Sequence, residues 1–123
     1  MGEVIQERYY GIEERDAYPG DEDQGQMSSW YVLSSLGFFE MDGGCSDNPM
    51  LCVGSPAFEQ VEINLSPGYY EGKKLVIKAP GTSPNRCYVK SATFDGNDID
   101  PRFILWNRLK QGGQLYFEMS DRP

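Results

Sequence analysis

The sequence contains no histidine. That single absence removes every Ser-His and Cys-His catalytic arrangement and every histidine-ligated metal from the list of chemistries open to the chain. Cations are also scarce, 11 Lys and Arg against 19 Asp and Glu, for a net charge of -8. Nucleic-acid binding rests on Lys and Arg contacts to phosphate, so this balance argues against it. No apolar run approaches the roughly 20 residues of a membrane-spanning helix. Cysteine is limited to Cys45, Cys52 and Cys87, which fit no C-x-x-C metal or redox pattern. A Cys45–Cys52 loop is one reading of them, but the odd count leaves a thiol over, and free, partly buried thiols are the expected state. Internal repeats and low-complexity segments are missing too. No signal-peptide pattern opens the chain, because Met1-Gly2-Glu3 runs directly into a polar, helix-like stretch.

What is present is one small domain's worth of residues, 123, of which 39% are hydrophobic. Eight tyrosines, six phenylalanines and two tryptophans suit a β-rich core and would also suit sugar stacking. The organising stretch is Gly20 to Gly37. Three acids, Asp21, Glu22 and Asp23, framed by Pro19-Gly20 and Gly25, lead straight into Gln26 to Leu36. This second part is apolar almost all round, with Met27, Trp30, Tyr31, Val32, Leu33 and Leu36, so it is expected to form a buried helix. Gly37 stands where a left-handed C-terminal cap belongs. Carboxylates at the N-terminus of such a helix lie where backbone N–H groups and the helix dipole favour negative charge. They are expected to stay ionised, and a held, ionised carboxylate can serve as a general base.

Before the acidic loop, Glu3 to Tyr10 predicts one short helix stopped by Gly11, and Ala17-Tyr18-Pro19-Gly20 an extended approach to a turn. Two helices cannot cover the apolar surface of Met27 to Leu36, so something else must bury it. After Phe38 the pattern changes to short β-like runs between breakers: Met50 to Val53, Gln60 to Leu65, Leu75 to Ile77, Tyr88 to Phe94 and Leu115 to Met119. Asp95-Gly96 is a hairpin turn signal leading into Asn97-Asp98-Ile99. Phe103 to Leu109 fits a strand or one helical turn equally well. The expected fold class is therefore α+β, a helical segment over residues 1–37 and a small antiparallel β-sandwich over 38–123.

The blocks Pro19 to Val32, Leu36-Gly37-Phe38 and Gly54-Ser55-Pro56-Ala57-Phe58 resemble the C-terminal end of the exo-acting α-mannosidases of glycoside hydrolase family 92. Gly112 to Met119 resembles that family's closing strand. The resemblance spans nearly the whole chain in order, and it implies a fragment of an enzyme several times longer, with an N-terminal β-sandwich and an (α/α)6 barrel. The helices here would be the last part of that barrel.

Inverting hydrolysis of a glycoside needs two carboxyl groups on opposite faces of the sugar, roughly 6.5–9.5 Å apart, one donating a proton and the other activating water. Asp21 and Asp23, two apart in a tight loop, cannot be that opposed pair if both point into one pocket. The resemblance implies that they are the base half, with the acid, a glutamate, on a segment upstream; Asp23, nearer the helix start, is the preferred base. On this reading the fragment alone is predicted inactive. The resemblance also implies Ca2+, with Asp23 as a ligand, although Ca2+ takes about six to eight oxygens and this loop supplies one or two. Asp-Glu-Asp-Gln-Gly is not an EF-hand, since Val32 occupies the twelfth position.

Gln26 can hydrogen-bond sugar or hold an aspartate, and can equally be a simple cap. Trp30 is expected in the core, Asp95, Asp98 and Asp100 in a solvated turn, and Tyr69-Tyr70 in a surface loop. The implied function is removal of terminal α-1,2-linked mannose from glycans, N-glycans included, by a parent that is secreted, periplasmic or cell-surface. The alternative is a non-catalytic carbohydrate-binding or structural β-sandwich module. Self-association through the uncovered apolar helix face is expected of the fragment.

Overall fold

The computed structural model describes residues 2–13, 17–40 and 45–123. Its elements in chain order are α1 (Gly2–Tyr9), α2 (Gln26–Leu36), β1 (Phe38–Glu40), β2 (Met50–Val53), β3 (Gln60–Asn64), β4 (Lys74–Lys78), β5 (Tyr88–Phe94), β6 (Asn97–Ile99), β7 (Phe103–Leu105), α3 (Trp106–Leu109) and β8 (Gly113–Ser120).

The two long helices meet through polar atoms as well as rings. Gln6, buried in α1, donates its side-chain amide to the Tyr31 carbonyl and to the Ser35 hydroxyl, both at 3.0 Å. Ser35 in turn donates to the Tyr31 carbonyl at 2.7 Å. A buried amide left without these acceptors would be costly, so the pair fixes how α1 lies on α2. Gly37 ends α2 at φ 88° and its N–H donates to the Ser34 carbonyl at 3.0 Å. A Cβ at Gly37 would lie 2.9 Å from Pro56 Cγ and 3.0 Å from the Gly54 carbonyl oxygen, so the residue is glycine for space as well as for conformation.

One expectation fails here. The helix Gln26–Leu36 is not buried: Ser35 is its one buried residue, and Tyr31 and Val32 are 41% and 57% exposed. The reason is the shortage of partners foreseen above, since α1 and β1 contact only part of its surface.

From Phe38 onward the chain builds two sheets. The smaller has the order β1-β2-β7, antiparallel throughout, with Leu51 paired to Glu40 on one side and Ile104 on the other. The larger has the order β3-β4-β8-β5-β6. Alternation decides which side faces inward: along β8, Leu115, Phe117 and Met119 are buried while Gln114, Tyr116 and Glu118 are not. Leu75, Ile77, Ala92 and these three form one cluster with Phe38, Leu51 and Ile104 of the smaller sheet and Leu109 of α3. The two sheets thus share a core, as a sandwich requires. Each fully buried Ile, Leu or Phe there contributes about 1.5–3 kcal/mol.

The sandwich is not wholly antiparallel. Strands β4 and β8 run parallel, with Leu75 opposite Gly113 and Ile77 opposite Leu115. No hairpin joins these strands, and the stretch between them far exceeds the dozen or so residues that a parallel connection needs. The Asp95-Gly96 hairpin forms as expected, with φ of 49° and 82° at its two central residues. Phe103 to Leu109 uses both of its readings: Phe103–Leu105 is a strand on β2, Trp106 donates its N–H to the Pro49 carbonyl at 2.8 Å, and the chain then turns into α3. Strand β1 was not expected. All three cysteines are free thiols, Cys45 exposed and the others half-buried. Among the described residues no helix is long and apolar enough to cross a membrane.

Candidate functional site

The acidic loop is organised by its middle residue. Gly25 occupies the N-cap position of α2 and has no side chain to offer the first-turn N–H groups. Glu22 does that work instead. Its carboxylate accepts the Gly25 N–H, the Ser28 N–H at 2.9 Å and the Ser28 hydroxyl at 2.7 Å. The Ser28 N–H, then the Ser28 hydroxyl, hold the Glu22 carboxyl below its ordinary value. Tyr18 shares a 2.9 Å hydrogen bond with the same Ser28 hydroxyl.

To reach this position the backbone takes an uncommon course. Asp23, Gln24 and Gly25 have φ of 56°, 61° and 94°, three successive residues in the left-handed region. Aspartate tolerates that conformation better than most residues, and glutamine does not share the advantage. Below the loop, Tyr10 stacks on Trp30 with ring centroids 5.6 Å apart, and meets Tyr18 edge-on at 6.1 Å and Tyr31 at 5.1 Å. Burial, then the Tyr18 phenol and the Glu22 carboxylate, push the Tyr10 phenol up from its ordinary value.

Asp21, Asp23 and Gln26 are all exposed. Among the described residues neither aspartate carboxylate accepts a hydrogen bond or forms an ion pair. The Asp23 carbonyl accepts the Gln26 N–H at 3.4 Å, which ties the loop to the first residue of the helix. The arrangement is therefore two uncommitted carboxylates on either side of a third that is fully engaged. Chemically it offers solvent-facing carboxylate oxygens on an anchored backbone, suited to accepting a proton from water or ligating a hard cation.

A groove of about 620 Å3 lies elsewhere, between the helices and the strands, lined by Trp30, Phe39, Cys52, Cys87, Tyr88 and Arg102 among others. None of Asp21, Asp23 or Gln26 lines it. Among the described residues, this groove and the candidate carboxylates do not coincide. Among the described residues no group of three or more Asp, Glu or Cys is placed to hold a metal ion. The role of Glu22 was not foreseen; the one sequence signal for it is a glycine at the N-cap position, which leaves the helix start in need of a donor-satisfying side chain from nearby. Trp30 lies half-buried against Tyr10, and Asp95 accepts the Gln114 N–H at 2.8 Å. Asp100 forms a paired contact with Arg102, at 2.9 and 3.0 Å.

Residues 2–121 match the catalytic domain of glycosyl hydrolase family 92. No curated protein matches the chain. Among solved structures, an inverting mannosidase of this family from Bacteroides thetaiotaomicron VPI-5482 is similar at 32% identity and TM-score 0.79, covering 99% of this chain and 16% of that one. An α-mannosidase of the same family from Bacteroides thetaiotaomicron, in complex with mannoimidazole, is similar at 30% identity and TM-score 0.82, covering 99% of this chain and 15% of that one. A further family member, ccman5, is similar at 29% identity and TM-score 0.80, covering 94% of this chain and 14% of that one. The chain thus spans about a sixth of the length of these structures.

Proposed function

Because the chain belongs to glycosyl hydrolase family 92, we propose that it is the C-terminal part of a calcium-dependent, inverting exo-α-mannosidase acting on terminal α-1,2-linked mannose of glycans, N-glycans included. Its contribution is the general base. The observation that carries this reading is the division of labour in the acidic loop: Glu22 is consumed in holding α2, which leaves Asp21 and Asp23 exposed and unpaired. A base must be ionised and must reach a water, and these two are the carboxylates of the loop free to do so.

On this reading Asp23 takes the proton from the attacking water, while its left-handed backbone and the Gln26 N–H on its carbonyl keep it from swinging away. Asp21 orients the water or the sugar from the other side of Glu22. Gln26, exposed at the first position of the helix, hydrogen-bonds a sugar hydroxyl. The opposed acid comes from outside residues 1–123, at roughly 6.5–9.5 Å across the sugar, and the chain alone is inactive. The oxygens of Asp21 and Asp23 are the right donors for Ca2+, but too few for a full shell of about six to eight. Asp23 would supply one ligand and the longer polypeptide the rest. The ion, when bound, supplies a hard electrophile for vicinal hydroxyls. Residues 1–37 close the helical barrel, 38–123 form the capping sandwich, and the enzyme works outside the cytoplasm, secreted, periplasmic or on the cell surface. Released from its partners, the fragment self-associates through α2.

The test is hydrolysis of α-1,2-mannobiose by the longer enzyme carrying Asp21→Asn or Asp23→Asn, with proton NMR to identify the anomer first released. A fall in kcat of about a hundredfold or more in one variant, with β-mannose released first by the unmodified enzyme, is expected. Near-normal rates in both variants would leave the loop as a helix cap only.

A further inference from the structure

A second cavity, of about 410 Å3, opens on the sandwich between the 66–72 loop and the end of α3. It is within the range of small-molecule sites, about 300–1,000 Å3. Its lining is Tyr69, Tyr70 and Glu71 from the loop, with Asn107, Lys110 and Gln111 from the other wall. None of these residues belongs to the acidic loop.

The walls are built rather than incidental. The N–H groups of Tyr69 and Tyr70 both donate to the Ser66 carbonyl at 3.2 Å, closing a tight turn through Gly68 at φ 87°. At the other end of the loop, Gly72 lies so close to the opposite wall that a Cβ there would come within 2.1 Å of the Gln111 carbonyl oxygen. The α3 wall is fixed in turn. Asn107 donates its N–H to Asn48 Oδ1 at 3.2 Å, and the N–H of Gly112 reaches the Leu109 carbonyl at 3.0 Å. Tyr70 stands half-buried, edge-on to Trp106, with ring centroids 6.1 Å apart and an interplanar angle of 85°. Tyr69 is the opposite case. It is 89% exposed, the second most exposed large hydrophobic side chain among the described residues, and its ring is held beside Tyr70 at 6.5 Å. A ring that exposed contributes almost nothing to the core, so packing does not account for it.

The lining chemistry selects one class of ligand. Asn107 and Gln111 each bring a donor and an acceptor, Glu71 brings acceptors and Lys110 donors. The single positive and single negative charge offset each other, so neither an anion nor a cation is favoured. An aromatic face beside mixed, uncharged hydrogen-bonding capacity matches a neutral polyhydroxylated ring. We propose that this cleft is a carbohydrate-binding subsite for a neutral oligosaccharide, with the ring of Tyr69 as the stacking platform and Asn107 and Gln111 reading hydroxyl groups. Its lining shares no residue with the acidic loop, so it would hold a glycan chain through contacts other than those of the proposed base. The mannose content of the probe below rests on the functional reading given above, whereas the sugar chemistry of the cleft does not.

Isothermal titration with α-1,2-linked mannopentaose tests this, in the longer enzyme carrying Asp23→Asn so that the probe survives. The partners are Tyr69→Ala and Tyr69→Phe in the same background, and maltopentaose is the comparison sugar. Saturable binding is expected, weakened about tenfold by Tyr69→Ala and held within about twofold by Tyr69→Phe, which keeps the ring. Unchanged circular dichroism in both variants is expected, given the exposure of Tyr69. Equal affinity in the Tyr69→Ala variant, or equal loss in both variants, overturns the subsite. Binding of maltopentaose but not mannopentaose, with the same dependence on Tyr69, retains the subsite and counts against mannose as its ligand. Failure of the base assignment shows instead as hydrolysis of mannopentaose in the Asp23→Asn background, a steady heat distinct from saturable binding heat, and the Tyr69 comparison is then read with a non-hydrolysable S-linked mannopentaose.

Discussion

The carboxylate of Glu22 grips Ser28 twice, through the backbone N–H at 2.9 Å and the hydroxyl at 2.7 Å, six residues away across the start of α2. It thereby replaces the side chain that Gly25 lacks at the N-cap, and it fixes the flanking aspartates without touching them.

Glu22→Gln is expected to lower Tm, because the ionised form is the one these donors stabilise. The Glu22 pKa is depressed below its ordinary 4.5 in the folded chain. Its contribution is therefore complete above pH of about 4.5 and is lost as pH falls through the lower folded value. Thermal melts of both proteins at neutral pH and through the range below 4.5 check this: the gap between them closes on acidification. In the longer enzyme the same substitution should reduce kcat by about 10–100-fold, through a displaced base rather than a missing one.

Gln24→Gly removes a non-glycine residue from φ 61°. Relief of that strain, about 1–2 kcal/mol, is partly offset by the greater freedom of glycine in the unfolded chain, so a net gain of up to about 1 kcal/mol is expected. Gln24→Val, β-branched at the same φ, should destabilise. Urea midpoints for the two variants give opposite signs if the left-handed run is as described.

Gly37→Ala combines two faults, a positive φ of 88° and a Cβ 2.9 Å from Pro56 Cγ. A loss of about 1–3 kcal/mol is expected in chemical denaturation. Gly96→Ala has a similar φ, 82°, but open space around it, so it should cost less; the difference between the two measures the clash.

Phe117→Ala, at the centre of the shared core with no exposure, is expected to cost about 3–5 kcal/mol, and Ile77→Val about 0.5–1.5 kcal/mol. The first is a large fraction of what a domain this size possesses. Equilibrium unfolding of both variants tests whether the two sheets share one core, since a separate pair of cores would confine the damage of Phe117→Ala to half of the transition.

Both long helices, the Gly37 cap and the Asp95-Gly96 turn were legible because each is written in local chemistry: a helical period in the first helix, an apolar run between an acidic loop and a stop glycine in the second, and two residues that accept positive φ at the turn. Strand β1 was not, since Phe38 to Glu40 is too short to show an alternation and becomes a strand only beside Cys52 and Leu51. The parallel pairing of β4 with β8 is likewise a fact about distant segments, and no pattern within Lys74–Lys78 or Gly113–Ser120 specifies which neighbour each will take. In the candidate site the acids were visible as a group, but not their division into one anchor and two free carboxylates. That depends on where Ser28 lies in space. The exposure of Tyr31 and Val32 follows from composition only in the sense that an all-round apolar helix demands a cover, which the described residues do not provide.

The position of β8 has a kinetic meaning. It follows both hairpins in the sequence, yet it lies between the β3–β4 hairpin and the β5–β6 hairpin and, among the described residues, is the strand that touches both. As a polypeptide is synthesised from its N-terminus, those two hairpins exist as separate, half-covered pieces until Leu115, Phe117 and Met119 arrive to join them. The inner edges of β4 and β5 stay open throughout that interval, and the arrival of β8 closes both of them to edge-to-edge aggregation.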